Sequence, residues 1–533
     1  APGTAHAPHQ APSKWIAKFK GQFDQGWDRV REQIFARQKR LGVVPVSAQL
    51  TPRPSGIPAW DSISPGLQQT TARMMEVYAA MLAHQDHQFG RLLDELARMG
   101  ELENTLVLFI QGDNGASAEG QVFGSTNPMG GFANGYSETE DEQLAMLDEL
   151  GGPNTNQNWA AGWAWATNTP FRWTKQIASH LGGTRNGLVI SWPARIKARG
   201  LRTQFHHVID VLPTILEAAG VAQPATVNGA PQQRVDGVSM LYSFEAPDAP
   251  GRRTTQYFEM MGNRAIYHEG WMASTSPTRA TWLTEPLAAK PTPADYDWEL
   301  YDLERDFSQA RNVAARHPKK LAELQALFDQ EAERNAVYPL DDRLDLPRFA
   351  AAVALGPKPR PSYVYWGKDV SVPAELAPTF RGSFTLTAEI DTQAGDSGVL
   401  AALGGKFAGW SFYLKEGRPM AVMAGAHRPD RVYRVEADRA VPRGASIVRY
   451  EFASEGVGRG GFMRISIDGR ESGQGRIERT IVRTVEMTDT FDVGFDGDTP
   501  VTDDYEDEGR FTGAIHKLTV EQTVPAATSA VRH

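Results

Sequence analysis

The class of fold is decided by the stretch Thr105-Leu106-Val107-Leu108-Phe109-Ile110-Gln111-Gly112-Asp113-Asn114-Gly115. It opens with a continuous apolar run of strand length, and the Gly-Asp-Asn-Gly segment then breaks the strand into a polar loop. Before it, between Gln68 and Met99, apolar residues recur mostly at spacings of three and four, and Gly100 suits the end of such a helix. Helix, buried strand and polar loop in this order predict an α/β fold that binds ligands beyond the strand's carboxyl end.

Further along, the pattern extends this α/β region and then changes. A second buried strand is predicted at Leu188 to Trp192, a helix at Val208 to Ala219 and a last helix at about Pro318 to Asn335, within a first domain of residues 1–356. Three prolines in residues 357–361 predict a linker. Beyond the linker the apolar period becomes two, and residues 362–533 are predicted to form an all-β sandwich of jelly-roll type. Its predicted strands are 384–390, 398–403, 410–414, 421–423, 447–452, 462–467 and 514–520, with hairpin turns at Glu416-Gly417 and Asp468-Gly469.

Composition excludes several classes of protein. The 533 residues are 41% hydrophobic and 22% charged, which is a globular balance and not that of a collagen or a disordered chain. The net charge of -9 argues against nucleic acid as a partner, and no apolar run is long enough to span a membrane. The chain has no cysteine, which excludes disulfides, thiolate metal sites and a cysteine nucleophile within these residues. A periplasmic or secreted location is favoured over a cytoplasmic one.

Residues with chemical potential lie in loops. Asp113 and Asn114 offer a carboxylate and an amide oxygen, which suit Ca²⁺ or Mg²⁺, although the same residues are also ordinary turn formers. His6, Lys175 and the turn Gly182-Gly183-Thr184-Arg185 are the other candidates. If these groups converge, a cation, a lysine and a histidine would form a site for a tetrahedral oxyanion.

Together these motifs resemble the sulfatase family, within the alkaline-phosphatase-like superfamily. Two further stretches carry the resemblance, Asp210-Val211-Leu212-Pro213-Thr214-Ile215-Leu216-Glu217-Ala218-Ala219-Gly220 and Trp298-Glu299-Leu300-Tyr301-Asp302-Leu303. The resemblance implies a mixed sheet flanked by helices, here incomplete, followed by a jelly-roll tail like that of bacterial arylsulfatases. It also implies hydrolysis of aryl or carbohydrate sulfate monoesters with Ca²⁺, in preference to Mg²⁺, and a formylglycine nucleophile.

By the same resemblance, Asp113 and Asn114 are metal ligands, His6 assists at the leaving-group or sulfate oxygen, and Lys175 neutralises the sulfate. His180 is a second candidate for a substrate contact in the loop after Lys175. The family's Cys/Ser-x-Pro-x-Arg nucleophile motif is absent, and Thr275-Ser276-Pro277-Thr278-Arg279 only imitates its shape. The chain is therefore expected to be the C-terminal part of an arylsulfatase, inactive alone, with an exposed apolar patch along one sheet edge near His6 and Asp113.

Two other functions stay open at this point. One is a phosphoryl-transferring relative in the same superfamily, with a Thr or Ser nucleophile and two metals. The other is a glycan-binding or oligomerisation module, in which the tail carries the function and the first domain is a scaffold. Trp159, Trp163, Trp165 and Trp173 fit an aromatic substrate pocket and core packing equally well.

Overall fold

The computed structural model describes residues 6–283, 292–343, 358–373, 376–380, 382–426, 428–481 and 490–523. The chain divides into two compact units. The first contains the described residues of Ala1–Ser125, Gln143–Pro153 and Gln157–Leu344, and the second those of Thr126–Glu142, Asn154–Asn156 and Asp345–His533. The linker at residues 357–361 stays a prediction, and Pro357 lies outside the described residues.

The described residues form a mixed α/β structure. Its helices are α1 Ser13–Ile16, α2 Gly26–Arg40, α3 Pro65–Arg98, α4 Pro128–Asn134, α5 Glu140–Ala145, α6 Ala161–Thr167, α7 Leu181–Thr184, α8 Val211–Ala219, α9 Tyr242–Glu245 and α10 Pro318–Arg334. The strands before residue 310 are β1 Val107–Gln111, β2 Gly187–Ser191, β3 Thr226–Val227, β4 Ala230–Pro231, β5 Thr255–Met260, β6 Asn263–His268, β7 Trp271–Thr275 and β8 Trp298–Asp302. No helix among the described residues is long and apolar enough to cross a membrane.

The strand that decides the fold is β1, and it pairs antiparallel with β2. In the register, Gln111 at the end of β1 lies opposite Gly187 at the start of β2. The polar loop that follows β1 therefore meets the glycine turn that precedes β2. This non-local pairing is what places the candidate metal loop beside the segment that carries Lys175.

Both strands were expected to be buried, and this is wrong. In β2, Val189 is 63% exposed, and Ile110 of β1 is also exposed. The reason is that β1 and β2 form a two-stranded sheet, and within the described residues no third strand covers either edge. Leu212 and Ile215 of α8 are exposed as well. These exposed apolar residues agree with an open sheet edge, while a contiguous apolar patch near His6 and Asp113 stays a prediction.

Tryptophans form the core that supports the loops of the first unit. Trp27 of α2 and Trp163 of α6 are fully buried, and their rings meet edge to face with centroids 5.8 Å apart. Trp60 completes the group, 4.8 Å from Trp27. Trp159 and Trp165 are also buried. Because these indoles pack against one another and against helix α3, core packing accounts for most of the predicted tryptophan cluster.

A buried arginine ties α2 to the loop after α6. Arg31 is 1% exposed, and its guanidinium donates to the carbonyl oxygens of Trp165 (2.6 Å), Pro170 (3.1 Å) and Phe171 (2.8 Å). It also donates to the hydroxyl of Thr51 at 2.9 Å. Burial lowers the pKa of Arg31 to about 9. The side chain therefore acts as a hydrogen-bonding hub for the chain that leads towards Lys175.

The C-terminal part of the first unit contains a separate four-stranded antiparallel sheet. Its order is β5-β6-β7-β8, and α10 packs on it through Leu324 and Phe328. Thr275, the first residue of the motif-like stretch, is the fully buried last residue of β7. Its hydroxyl accepts a hydrogen bond from the backbone amide of Arg264 at 2.9 Å. The stretch thus begins at the end of the inner strand β7 and continues as an irregular segment with a bend.

The second unit is a sandwich of two six-stranded antiparallel sheets, ordered β10-β19-β12-β13-β14-β15 and β18-β17-β16-β11-β20-β9. The strands are β9 Ser362–Trp366, β10 Val370–Pro373, β11 Phe384–Thr392, β12 Gly398–Gly405, β13 Ala408–Lys415, β14 Arg418–Ala424, β15 Val432–Glu436, β16 Gly444–Ser454, β17 Gly461–Ile467, β18 Arg470–Ile477, β19 Thr490–Val493 and β20 Ala514–Gln522. All seven predicted strands are present. Both predicted turns have positive φ at their two central residues, as type I′ hairpins require.

The sandwich includes a piece of chain from far upstream. Tyr136, just after α4, lies between the guanidinium groups of Arg431 and Arg479, at 4.8 and 4.6 Å from its ring centroid. Arg479 also donates to the carbonyl oxygens of Asn134 (2.8 Å) and Gly135 (2.9 Å), and Arg428 pairs with Glu142 at 2.9 Å. Residues 126–142 are therefore packed as part of the second unit, although they follow the metal loop in sequence.

A buried carboxyl group makes the stability of the second unit depend on pH. Asp496 is 2% exposed and accepts hydrogen bonds from Tyr505 and from the amide of Val501. Burial, reinforced by nearby Asp492, raises the pKa of Asp496 to about 7. Because the folded state holds this proton more tightly than the unfolded state, the group's stabilisation is complete below about pH 4 and is lost as the pH rises to about 7.

We therefore expect Asp496→Asn to raise the free energy of unfolding, relative to the wild-type chain, by about 2 kcal/mol more at pH 8 than at pH 5. The reason is that asparagine removes the cost of ionising a buried acid. Urea unfolding of the chain at the two pH values measures the difference. Asp498→Asn is the matched control, because it removes the same charge two residues further along the chain from an exposed side chain. Equal effects of Asp496→Asn at pH 5 and pH 8 would contradict this prediction.

Candidate functional site

The site is built where two glycine-containing loops touch. The amide of Gly115 donates to the carbonyl oxygen of Gly183 at 2.9 Å. A Cβ atom on Gly115 would lie 1.8 Å from the carbonyl oxygen of Gly182, so no other residue fits this approach. One residue further, the carbonyl oxygen of Ala116 accepts from the amide of Lys175 at 3.0 Å. The Asp113-Asn114 loop and the Lys175 segment are thus held together by their backbones.

Asn168, which the sequence analysis did not single out, fastens the same contact. Its side-chain oxygen accepts from the amide of Ala116 at 3.3 Å, and its side-chain nitrogen donates to the carbonyl oxygens of Trp173 and Gly182. The residue is 9% exposed. One amide side chain therefore satisfies three backbone groups from three segments, which only the folded arrangement reveals.

The structure brings His6 and Lys175 together. Lys175 Nζ lies 3.3 Å from Nε2 of His6, although the two residues are 169 positions apart in sequence. The same ammonium donates to Oε2 of Glu119 at 2.9 Å. His6 Nδ1 lies 2.6 Å from the carbonyl oxygen of Ala7. Glu119 was not predicted, although a carboxylate in the polar loop just after Asp113 and Asn114 was a visible candidate partner for a lysine.

The metal-ligand candidates lie at the rim of this site. Asp113 is exposed, and its Oδ1 accepts from Nδ2 of Asn114 at 2.6 Å. A carboxylate and an amide oxygen are donors that suit Ca²⁺, which takes six to eight oxygen ligands. Within the part of the chain that the structure describes, no group of three or more His, Cys, Asp or Glu residues is arranged to hold a metal. Asp113 and Asn114 thus fit part of a calcium shell and require further ligands.

His180 has a different environment from the other candidates. It is 4% exposed, its Nε2 lies 2.9 Å from Oε2 of Glu299, and its Nδ1 lies 2.9 Å from the hydroxyl of Ser179. Burial lowers the pKa of His180. Against the effect of burial, hydrogen bonds from His180, Tyr301 and Ser276 hold the pKa of Glu299 at about 2. The described hydrogen bonds of His180 thus run to an internal network and not to His6 or Lys175.

Other histidines have structural surroundings. His84 and His87 on α3 both contact the ring of Trp15, with centroids 5.5 and 5.4 Å apart. His207 accepts from the amide of Ile209 and forms a capping box with Asp210 at the turn before α8. These contacts give His84 and His87 a role in helix packing and His207 a role in capping.

Comparison with known proteins finds sulfatases among the relatives of this chain. Residues 1–221, which contain His6, Asp113, Asn114, Lys175 and His180, match the Sulfatase family model. An uncharacterized sulfatase of Schizosaccharomyces pombe is 32% identical over 348 residues, covering 63% of this chain and 58% of that protein. An arylsulfatase of Klebsiella aerogenes is 33% identical over 239 residues, covering 44% of this chain and 48% of that protein. These matches support a sulfatase relationship for residues 1–221 of the chain.

The extent of these matches is partial. The chain spans about half the length of the curated relatives that it matches. Among solved structures, the crystal structure of Ps i-CgsB is similar at 15% identity over 66% of this chain and 52% of that chain, with a TM-score of 0.36. That TM-score is too low to indicate a shared overall arrangement. The similarity to sulfatases therefore rests on the sequence matches.

Proposed function

We propose that this chain provides the sulfate-binding side of a sulfatase active site, and that the protein hydrolyses sulfate monoesters. The observation that carries the proposal is the approach of Lys175 Nζ to His6 Nε2 within 3.3 Å, next to the backbone contact that holds the Asp113-Asn114 loop. A fixed cation beside an imidazole is what an oxyanion ester needs, since one neutralises charge and the other moves a proton.

Each residue has a definite task in this proposal. Lys175 donates to a non-bridging sulfate oxygen, and His6 exchanges a proton with the oxygen of the leaving group. Asp113 and Asn114 supply oxygen ligands to Ca²⁺, in preference to Mg²⁺, and the ion when bound polarises a sulfate oxygen. His180 keeps the loop between Lys175 and β2 in place through Glu299, so its contribution to substrate binding is indirect.

The nucleophile and the remaining metal ligands belong, in this proposal, to polypeptide outside the 533 residues. Three observations support it: the chain has no cysteine to convert to formylglycine, β1 and β2 leave open edges among the described strands, and the chain spans about half of its relatives. The 533-residue chain alone is accordingly expected to be inactive.

Three finer features belong to the same proposal. The substrate is an aryl or carbohydrate sulfate, as an arylsulfatase would take. The first unit is part of an alkaline-phosphatase-like mixed sheet, and the second is a sandwich of jelly-roll type. The protein acts in the periplasm or outside the cell.

The test uses the protein expressed from its complete gene, whose upstream sequence is expected to encode a Cys- or Ser-x-Pro-x-Arg motif. We expect hydrolysis of 4-nitrophenyl sulfate to exceed that of 4-nitrophenyl phosphate, to be lost with a calcium chelator, and to return with Ca²⁺ more fully than with Mg²⁺. A gene without such a motif, or a preference for the phosphate ester, would overturn the proposal.

A further inference from the structure

The carboxylate of Glu119 accepts hydrogen bonds from three side chains. Its Oε2 accepts from Nζ of Lys175 at 2.9 Å and from the hydroxyl of Ser117 at 2.9 Å. Its Oε1 accepts from Nε2 of Gln176 at 2.6 Å. Two of these three donors come from adjacent residues of another segment. One carboxylate thus holds Lys175 and its neighbour at the same time.

The neighbour is in a backbone conformation that needs such support. Gln176 has a φ of 76°, in the left-handed region that non-glycine residues seldom occupy. Strained residues persist where surrounding contacts fix them, and they concentrate at functional sites. The bond from Gln176 to Glu119 stabilises this turn directly after Lys175. Glu119 therefore orients the Lys175 side chain in two ways: through the ion pair with its ammonium group, and through the hydrogen bond that supports the backbone of Gln176.

The charge balance favours an ionised Glu119. Although burial opposes ionisation, the ammonium of Lys175 and the three hydrogen bonds lower the pKa of Glu119. The Lys175 side chain is 19% exposed, so this charge-assisted bond is partly shielded from water. The ion pair between Lys175 and Glu119 is therefore stronger than a fully exposed surface ion pair.

The arrangement has a consequence for His6. A lysine ammonium has three donors and no acceptor, so a bond to His6 needs a lone pair on Nε2. The proton of neutral His6 then sits on Nδ1, which lies 2.6 Å from the carbonyl oxygen of Ala7. Both ring nitrogens are consequently assigned: Nδ1 donates to the backbone and Nε2 faces Lys175.

We infer that Glu119 is a positioning residue that holds Lys175 against His6 and thereby fixes the neutral Nδ1–H tautomer of His6. The inference deepens the proposed function and rests on it only for its catalytic consequence. An imidazole whose Nε2 lone pair faces the sulfate-binding lysine can take up a proton at Nε2 and then donate that proton to the leaving-group oxygen. Neither His6 nor Lys175 alone would hold this geometry.

Nitrogen NMR of the 533-residue chain with labelled histidine tests the tautomer without any substrate. A spectrum of His6→Gln assigns the His6 signals. We expect His6 of the wild-type chain to be in the Nδ1–H form, and Glu119→Ala and Lys175→Met each to convert it to a mixture of tautomers. Glu119→Asp should restore part of the wild-type population. Glu103→Gln, which changes an exposed glutamate, is the matched control and should leave His6 unchanged.

The signals of buried His180 report whether each variant keeps its fold, and Ser117→Ala, which removes only one bond to Glu119, is a milder variant if Glu119→Ala does not fold. A wild-type His6 in the Nε2–H form, or a His6 tautomer that is unchanged in folded Glu119 variants, would overturn the inference.

In the protein expressed from its complete gene, Glu119→Gln should lower kcat/KM for a sulfate ester by about 10- to 100-fold, the usual cost of losing a group that orients a site residue. The two readouts separate the hypotheses. If the tautomer responds to Glu119 but sulfate esters are not hydrolysed, the positioning role is supported and the proposed function fails. If hydrolysis occurs and folded Glu119→Ala does not change the tautomer, the positioning role fails alone.

Discussion

His6→Gln in the protein expressed from its complete gene is expected to lower kcat/KM for a sulfate ester by about 10²- to 10⁴-fold, the range in which a general acid or base contributes. Glutamine preserves a hydrogen-bonding side chain but cannot take and return a proton at this atom. Because His6 Nε2 lies 3.3 Å from Lys175 Nζ, we attribute the expected loss to the proposed sulfate site. Steady-state kinetics with 4-nitrophenyl sulfate measures it.

The design includes two comparisons. His516→Gln changes an exposed histidine of the second unit and should leave kcat/KM within about twofold, as surface substitutions away from a site do. Lys175→Met combined with His6→Gln should cost less than the product of the two single losses, because both residues act on the same group. Full additivity, or a wild-type rate for folded His6→Gln, would show that the two residues do not serve one site.

Arg31→Met should destabilise the first unit by about 3 to 5 kcal/mol, the cost of breaking a buried hydrogen-bonded charge network. The substitution leaves the carbonyl oxygens of Trp165 and Phe171 without their buried donor, and each such group costs roughly 1 to 3 kcal/mol. The carbonyl oxygen of Pro170 loses one donor but keeps its hydrogen bonds from Thr51. Urea unfolding followed by tryptophan fluorescence suits the measurement, because Trp27 and Trp163 lie in the same core.

Arg29→Met, on the same helix but exposed, is the matched control and should change stability by less than about 0.5 kcal/mol. Arg31→Lys keeps a charge but not the planar fork, so it should recover only part of the loss. If Arg31→Met were as stable as Arg29→Met, the carbonyl oxygens would have to be satisfied in another way, and the role of Arg31 as a hub would be wrong.

Local patterns predicted the elements well and their contacts poorly. The helix at Gln68 to Met99 corresponds to α3, and the apolar run before Asp113 corresponds to β1, because periodicity and turn residues report local structure. The expectation that β1 and β2 are buried came from their continuous apolar runs. Burial depends on neighbouring strands that sequence periodicity within one segment does not specify.

In the candidate site too, individual residues were predicted better than the contacts between distant segments. His6 and Lys175 were singled out by residue type and family resemblance, and the structure places them in contact. Asn168 and Glu119 were missed because each bonds to segments that are distant in sequence, and an isolated Asn or Glu in a polar stretch has no periodic signal. For Glu119, the adjacent family motif at Asp113 and Asn114 could have drawn attention to its loop.

The packing of residues 126–142 into the sandwich limits how the second unit can be exchanged between genes. A gene segment that begins after the prolines at 357–361 encodes the strands but omits Tyr136, the ring that Arg431 and Arg479 enclose. Two arginines would then face water where they now clasp an aromatic ring. Recombination at a single junction after residue 361 would therefore not exchange the complete second unit. A replacement of the strands would also require a compensating change in residues 126–142, about 220 residues earlier in the chain.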